Sequence, residues 1–366
     1  MTHLQNDITQ EAISLLKRLI AVPSYSKEEN KTADIIHRYL CERNIASQRS
    51  LNNVWAKNKY FDPLKFTLLL NSHHDTVKPN SGYTYDPFEP LEKGGKLYGL
   101  GSNDAGASLV SLLAAFLFFF EKELPFNLIF AASAEEEISG PNGIECLLKE
   151  LPRIDAAIVG EPTGMQMAVA EKGLLVIEAK SKGKAGHAAR NEGENAIYKA
   201  MDDIRWLSQY VFPKVSPLLG PVHAAVTSIS TENKAHNVIP GSCDFIIDIR
   251  VNELYSFDEI LALLRQNMHS ELTPRSMRLR ATSIDTAHPL VRAGTACGFQ
   301  TYGSPTLSDK ALMQFPALKI GPGESSRSHT ADEFIYLDEV ADGIKKYILL
   351  LQTLGTQFAQ HKINVQ

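Results

Sequence analysis

The chain is poor in the features that would place it in several large classes. It has four cysteines in 366 residues (Cys41, Cys146, Cys243 and Cys297), and no two stand in a CxxC spacing. A zinc ribbon or a redox dithiol is therefore excluded, and scattered reduced thiols of a cytoplasmic protein are expected. No long apolar run is present. The longest, Leu109 to Phe120, spans 12 residues and contains Ser111, short of the roughly 20 that a membrane span needs; it reads as a buried core helix. The polar stretch Met1 to Leu16 lacks the charged-then-apolar layout of a leader, so none is expected. Basic residues are not in excess: 37 Lys and Arg against 42 Asp and Glu, a net charge of -5, give no footprint for nucleic acid. Gly99 and Gly101 lack a third glycine at the dinucleotide-fingerprint spacing, so a nucleotide loop is not expected. Repeats and low-complexity segments are also missing.

What remains is ordinary globular composition, 44% hydrophobic and 22% charged, in a chain too long for one core, so two domains are expected. Thr9 is a candidate N-cap for a helix reaching Ala21, and Ser26-Lys27-Glu28-Glu29 resembles a capping box opening a second helix. Val54–Lys57 and Phe66–Asn71 read as strands. The second runs straight into Ser72-His73-His74-Asp75. A glycine-dense stretch, Leu97 to Gly106, carries Asp104 before the apolar helix; capping that helix is the simplest local role for this acid. Asn127–Ala132 is a buried strand that ends in Glu135-Glu136-Glu137, and Ala156–Gly160 is another that ends in Glu161. Strands alternating with helices imply a mostly parallel sheet, whose strand ends converge on one edge. A charge run in solvent would explain one acidic strand end, but not a repeated delivery of His, Asp and Glu to successive ends.

From Gly173 the pattern changes. Leu174–Ser181, Val222–Ser230, Cys243–Val251 and Met277–Ser283 read as strands, with helices over Glu194–Phe212 and Phe257–Met268. Residues 173–284 therefore form a smaller α+β sandwich that interrupts an α/β domain made of residues 1–172 and 285–366. That larger domain is expected to be a mixed, mostly parallel sheet with helices on both faces. It resumes with the strand and turn at Leu318-Lys319-Ile320-Gly321, then His329, then a helix over Leu337–Leu354.

Zinc takes imidazole nitrogen and carboxylate oxygen, and a pair of ions roughly 3.5–4 Å apart needs a shared ligand and others on each side. His73 and Glu161 suit one ion, Glu137 and His329 the other, and Asp104 the bridge. Glu136 stands next to a ligand without being needed as one, and is placed to act as general base, moving a proton from water to a leaving amine. Asp75 would accept the second ring N–H of a metal-bound His73.

Ser72-His73-His74-Asp75-Thr76-Val77, Gly99-Leu100-Gly101-Ser102-Asn103-Asp104, Ala134-Glu135-Glu136-Glu137-Ile138, Gly160-Glu161-Pro162-Thr163 and Ser328-His329-Thr330 with Glu333 occur in this order. In them the chain resembles the M20-type zinc aminoacylase/carboxypeptidase superfamily. The resemblance favours His73 over His74 as the ligand, because Asp75 lies two residues on, and makes Glu136 the base and Glu137 the ligand. It implies one or two Zn2+ per chain, with Co2+ able to substitute, and a lid or dimerisation role for the inserted domain in a homodimer. It further implies an oxyanion-stabilising role for His187 and substrate anchoring by Asn237 and Arg250; without it, His187 would be a loop residue and Arg250 a partner for Asp248 or Glu253. The implied activity is removal of the acyl group from an N-acyl amino acid, nearest to acetylornithine deacetylase of arginine biosynthesis or an enzyme acting on N-acetylcitrulline or N-succinylornithine. Succinyl-diaminopimelate desuccinylase and a metallo-dipeptidase are the alternatives, and outside the class an inactive binding protein on the same fold. Neither a membrane nor nucleic acid is implied as a partner.

Lys78 stands where the family commonly has proline. A cation there predicts a preference for a dicarboxylic acyl group such as succinyl, and Lys78→Ala should lessen it. Comparing hydrolysis of acetyl- and succinylornithine by the two proteins checks this; an unchanged preference removes the argument.

Overall fold

The computed structural model describes residues 3–190 and 192–363. The chain divides into two compact units: Met1–Val169 with Ile284–Tyr302 and Ser308–Gln366, and Ala170–Ser283 with Gly303–Leu307.

The first unit contains α1 (His3–Ile20), α2 (Asn30–Cys41), β1 (Ser47–Ser50), β2 (Asn53–Lys57), β3 (Thr67–His73), α3 (Ala107–Phe119), β4 (Asn127–Ser133), β5 (Ala156–Val159), β6 (from Met167), β7 (Ala317–Lys319) and α4 (Leu337–Ile363). The sheet order is β1-β2-β4-β3-β5-β7-β6. The four central strands β4, β3, β5 and β7 are parallel, and the flanking pairs are antiparallel. Both faces of the central strands are covered, which is why these strands are apolar throughout rather than alternating. Leu68, Leu70, Leu128, Phe130 and Ile158 face a core built with α1, α3 and α4. Leu69, Ile129, Ala131, Ala157 and Val159 face a second core with Ile144 and Leu147.

The α3 region is apolar on nearly all sides. Ser102–Phe119 is long and apolar enough to cross a bilayer by composition, but 83% of it is buried within the protein. It is a core helix, as its shortness in sequence suggested. Parallel registry then aligns the strand ends: His73 lies opposite Ser133 across β3 and β4, and Asn71 opposite Val159 across β3 and β5.

The second unit is a four-stranded antiparallel sheet in the order His223–Ser230, Ser242–Val251, Gly173–Lys182, Glu271–Pro274. Helices Ala196–Gln209 and Phe257–Asn267 pack on one face, over Leu175, Ile177, Phe245, Ile247 and Ile249. The second helix starts with a complete capping box, Ser256 with Glu259.

Three local expectations fail. Thr9 lies inside α1, not at its start. Ser26 and Glu29 make no capping box, and α2 has no side-chain cap at Glu29; both side chains are taken by tertiary partners described below. The fourth strand of the second unit is Glu271–Pro274, not Met277–Ser283, of which Thr282–Ser283 alone is extended. Leu272 gives the earlier segment its buried anchor.

Candidate metal centre

The parallel strand ends carry the site. Ser72 Oγ donates to the Gly160 carbonyl at 2.8 Å, and the Gly160 amide donates to the Asn71 carbonyl at 2.7 Å, which fixes Glu161 beside His73. Gly321 allows the loop after β7 to lie against Glu161: a Cβ there would come within 2.5 Å of the Glu161 carbonyl oxygen and 2.2 Å of Ser108 Oγ.

His73 Nδ1 lies 3.0 Å from the Asp75 carbonyl oxygen and 3.4 Å from Asp75 Oδ1. Both are acceptors, so Nδ1 carries a proton, and Nε2 faces the acids, where it would offer its lone pair to a cation on losing its own proton. Around Nε2 stand Asp104 Oδ1 at 3.4 Å, Glu161 Oε1 at 3.8 Å and Glu136 Oε2 at 3.9 Å. The other oxygen of Asp104, Oδ2, lies 3.6 Å from His329 Nε2, which is 2.9 Å from Glu137 Oε2. The two oxygens of Asp104 thus face different histidines. His73 is buried, whereas the His329 side chain is 55% exposed, so the site opens to solvent on the His329 side.

Buried carboxylates hold these groups in place. Asp75 accepts the amides of Glu136 at 3.0 Å and Glu137 at 3.1 Å, one on each oxygen, and the Ser26 hydroxyl at 2.7 Å. Its carboxylate is therefore shared between the His73 ring and the acidic turn, a wider role than the ring partner expected from sequence. Glu29 accepts the Glu135 amide at 3.1 Å. Glu135 itself, in a left-handed conformation (φ 55°), points away from the cluster to accept from Asn142. Glu333 accepts the amides of Gly101 at 3.0 Å, Asn103 at 2.8 Å and Asp104 at 2.9 Å. Gly101 has φ +77°, a conformation glycine adopts without strain, and this lets the loop wrap that carboxylate. Asp104 is thus held by Glu333 and caps no helix; the helix start at Gly106 has no side-chain cap.

His74 turns the other way. Its Nδ1 meets Thr32 Oγ1 and its Nε2 the Asn52 carbonyl, both at 2.9 Å, and burial lowers it to about 4. Lys78 Nζ sits 5.9 Å from the centre of the Tyr25 ring. The sequence reading missed Asp309, which is buried and accepts from Asn71 Nδ2 at 2.8 Å and Ser133 Oγ at 2.5 Å. The signal for it was the pair of polar residues inside two buried strands, each of which needs a partner.

Charge crowding sets the protonation preferences. Burial raises Glu161 to about 8, opposed by His73 and reinforced by Asp104. Burial also raises Glu136 well above the usual carboxylate range, again opposed by His73 and reinforced by Glu161, Asp309 and Glu137. Asp309 rises to about 6 through burial. His73 is pushed up against its burial by Glu136, Asp104, Asp75 and Glu161. The hydrogen bond that the His329 ring donates to Glu137 raises it to about 9.

Such a cluster invites positive charge. Two imidazoles and several carboxylates form a hard-to-borderline donor set suited to divalent cations, and Glu161 Oε1 is buried without a hydrogen-bond partner. The ligand atoms of His73, Glu136 and Glu161, and those of His73, Asp104 and Glu137, each lie within 4.8 Å of one another. The residues fit a divalent metal centre, with Glu136 close enough to be a ligand in its own right.

In the second unit, His187 pairs with Val238 across a two-residue ladder, and the Ala188 amide donates to the Asn237 carbonyl at 3.0 Å. His187 and Asn237 are therefore neighbours. The Ala189 amide donates to His187 Nδ1 at 3.2 Å, which leaves the neutral ring's proton on Nε2. Arg250 lies eight residues along its strand from Ser242, roughly 26 Å at the usual rise, and its guanidinium grips Asp248 at 2.8 and 3.1 Å.

A family model, Peptidase family M20/M25/M40, matches residues 69–353, and the chain belongs to that family. A succinyl-diaminopimelate desuccinylase of Ruegeria sp. (strain TM1040) is 26% identical, over 69% of this chain and 68% of that protein. The succinyl-diaminopimelate desuccinylase of Orientia tsutsugamushi (strain Ikeda) is 25% identical over 93% of each. Among solved structures, an M20 family metallo-carboxypeptidase from Sulfolobus solfataricus superposes with a TM-score of 0.75 at 17% identity, over 94% of this chain and 99% of that one. The chain is a metal-dependent amide hydrolase.

Ligation needs Glu161 ionised and His329 neutral, yet the first is raised to about 8 and the second to about 9. Cation binding at pH 7 should therefore release protons, and affinity should climb as pH rises towards about 9. Calorimetric titration with Co2+ in two buffers of different ionisation enthalpy measures this; identical heats in both would contradict it. Glu333→Ala should weaken cation binding about 10- to 100-fold in the same titration by loosening Asp104; unchanged affinity would show that the loop holds without it.

Proposed function

We propose that this M20-family hydrolase removes a succinyl group from the α-amine of an N-succinylated amino acid, releasing succinate and the free amine. The named relatives support succinyl over acetyl, and they give no support to acetylornithine deacetylation or to a place in arginine biosynthesis. The observation that carries the hydrolytic reading is Glu136. Its carboxylate lies 3.9 Å from His73 Nε2, beside Asp104, and burial raises its affinity for a proton well above that of an ordinary carboxylate, in the direction a general base needs.

Zn2+, one or two ions per chain, with Co2+ able to replace it, suits His73 and Glu161 on one side, Glu137 and His329 on the other, and Asp104 between. When bound it polarises the scissile carbonyl and eases ionisation of water. Glu136 accepts the proton of the attacking water at a carboxylate oxygen and delivers it to the departing amine nitrogen, and the water's second proton follows to the same nitrogen, so that water and amide become carboxylate and ammonium. Asp75 holds the amides of Glu136 and Glu137, and so holds base and ligand in fixed relation. His187, with its ring proton on Nε2, is proposed to donate to the oxygen that gains charge, with Asn237 beside it. Arg250, gripped by Asp248, is the weakest of the anchoring assignments. The exposed strand His223–Ser230 ends its sheet, and it supports a homodimer formed through the second unit.

Glu136→Gln should keep its metal content and lose about 10²- to 10⁴-fold in kcat on succinylated amino acids. Metal analysis alongside steady-state rates checks both halves. Full activity would remove Glu136 as the base, and loss of metal would make it a ligand.

A further inference from the structure

Residues 77–90 contain no helix or strand, a long irregular run that is uncommon inside a compact unit. The middle of this loop is clasped by one carboxylate. Asp332 Oδ1 accepts the amides of Thr84 at 2.7 Å and Tyr85 at 3.0 Å, and Oδ2 accepts the Thr84 hydroxyl at 2.6 Å. Asn80 Nδ2 donates to the His329 carbonyl at 3.4 Å. Gly82 lies so near Ala331 that a Cβ on it would come within 3.2 Å of the Ala331 methyl. The loop therefore grips residues 329–332 at both ends, and this segment carries the histidine that faces Glu137.

That histidine needs such support. His73 is buried, and Asp75 holds its Nδ1. The His329 side chain is 55% exposed and is met at Nε2 by Glu137 and Asp104; among the described residues its Nδ1 has no hydrogen-bond partner. A histidine that binds a metal is ordinarily oriented by a partner on its other ring nitrogen. For His329 the orientation has to come through the backbone. His329 and Asp332 both adopt left-handed conformations, φ 59° and 53°, which residues other than glycine seldom do and which neighbouring contacts must hold. The bonds from Asn80, Thr84 and Tyr85 are such contacts. The next acid, Glu333, is committed to the Gly101–Asp104 loop and cannot take the place of Asp332.

Building on the two-ion reading above, we propose that Asp332 is a positioning residue that couples the loop 77–90 to the cation held by Glu137 and His329. The clasped loop keeps the His329 ring turned to Glu137, and a cation bound between them keeps the loop in place. Such coupling is reciprocal: the free energy that the clasp adds to cation binding is the free energy that the cation adds to the clasp. The ion held by His73 and Glu161 does not share it, because His73 takes its orientation from Asp75.

The test titrates the metal-free protein with Co2+ in a calorimeter and follows amide hydrogen exchange of the loop 77–90 with and without Co2+. The wild type should bind two ions, and loading should slow exchange of the loop. Asp332→Ala should weaken one ion about 10- to 100-fold, leave the other close to wild type, and abolish the slowing. Asp332→Asn keeps an acceptor for both amides and should restore most of the affinity. Thr84→Val removes one bond, leaves the carboxylate in place, and should weaken the same ion by a smaller factor. Wild-type affinity for both ions in Asp332→Ala, an equal loss at both, or wild-type loop exchange that ignores Co2+ overturns the coupling and leaves the two-ion reading standing. If the wild type binds a single ion, the two-ion reading fails and the coupling fails with it.

Discussion

Asp75 is buried at the end of β3, and its two oxygens accept the backbone amides of Glu136 and Glu137 beyond the end of β4. A buried carboxylate in contact with other acids is costly unless its hydrogen bonds are complete. Here the His73 ring, two amides and the Ser26 hydroxyl complete them. The bond network therefore does more than orient one histidine. It fixes the separation between the strand that supplies His73 and the turn that supplies both acids, and displacing Asp75 would disturb the His73 ring, Glu136 and Glu137 together.

The same logic repeats on the other side of the centre, where Glu333 gathers three amides of the Gly101–Asp104 loop. Both devices use a carboxylate outside the reacting cluster to shape backbone inside it. They leave Asp104 with an oxygen towards each histidine, and leave Glu136 close to His73 but with its amide, not its side chain, tied down. Burial, reinforced by the neighbouring acids, raises the proton affinity of Glu136 and Glu161, which supports the role of proton acceptor proposed for Glu136.

Strand ends were legible because packing explains apolar runs and cannot explain the acids that terminate them. His73, Asp104, Glu136, Glu137, Glu161 and His329 all come from such ends or from the loops between, and the structure gathers them. Supporting residues were less legible, because their partners are far away in sequence. Ser26 and Glu29 fit a local helix-start pattern, yet Asp75 and the Glu135 amide claim them, a case of tertiary demand overriding a local motif. Asp309 lies 238 residues from Asn71, with no spacing rule to join them. Arg250 was a matter of resemblance alone, and Asp248, two residues before it, occupies its guanidinium.

The proposed two-ion centre requires Asp104, whose two oxygens face different histidines, to divide it. Anomalous diffraction from crystals of the zinc-loaded protein tests this directly. Two peaks are predicted, each touching one oxygen of Asp104, one held by His73 and Glu161 and the other by Glu137 and His329, with the Glu136 side chain bound to neither. A single ion held by His73, Glu136 and Glu161 would contradict it, and would take away the residue assigned to carry the proton.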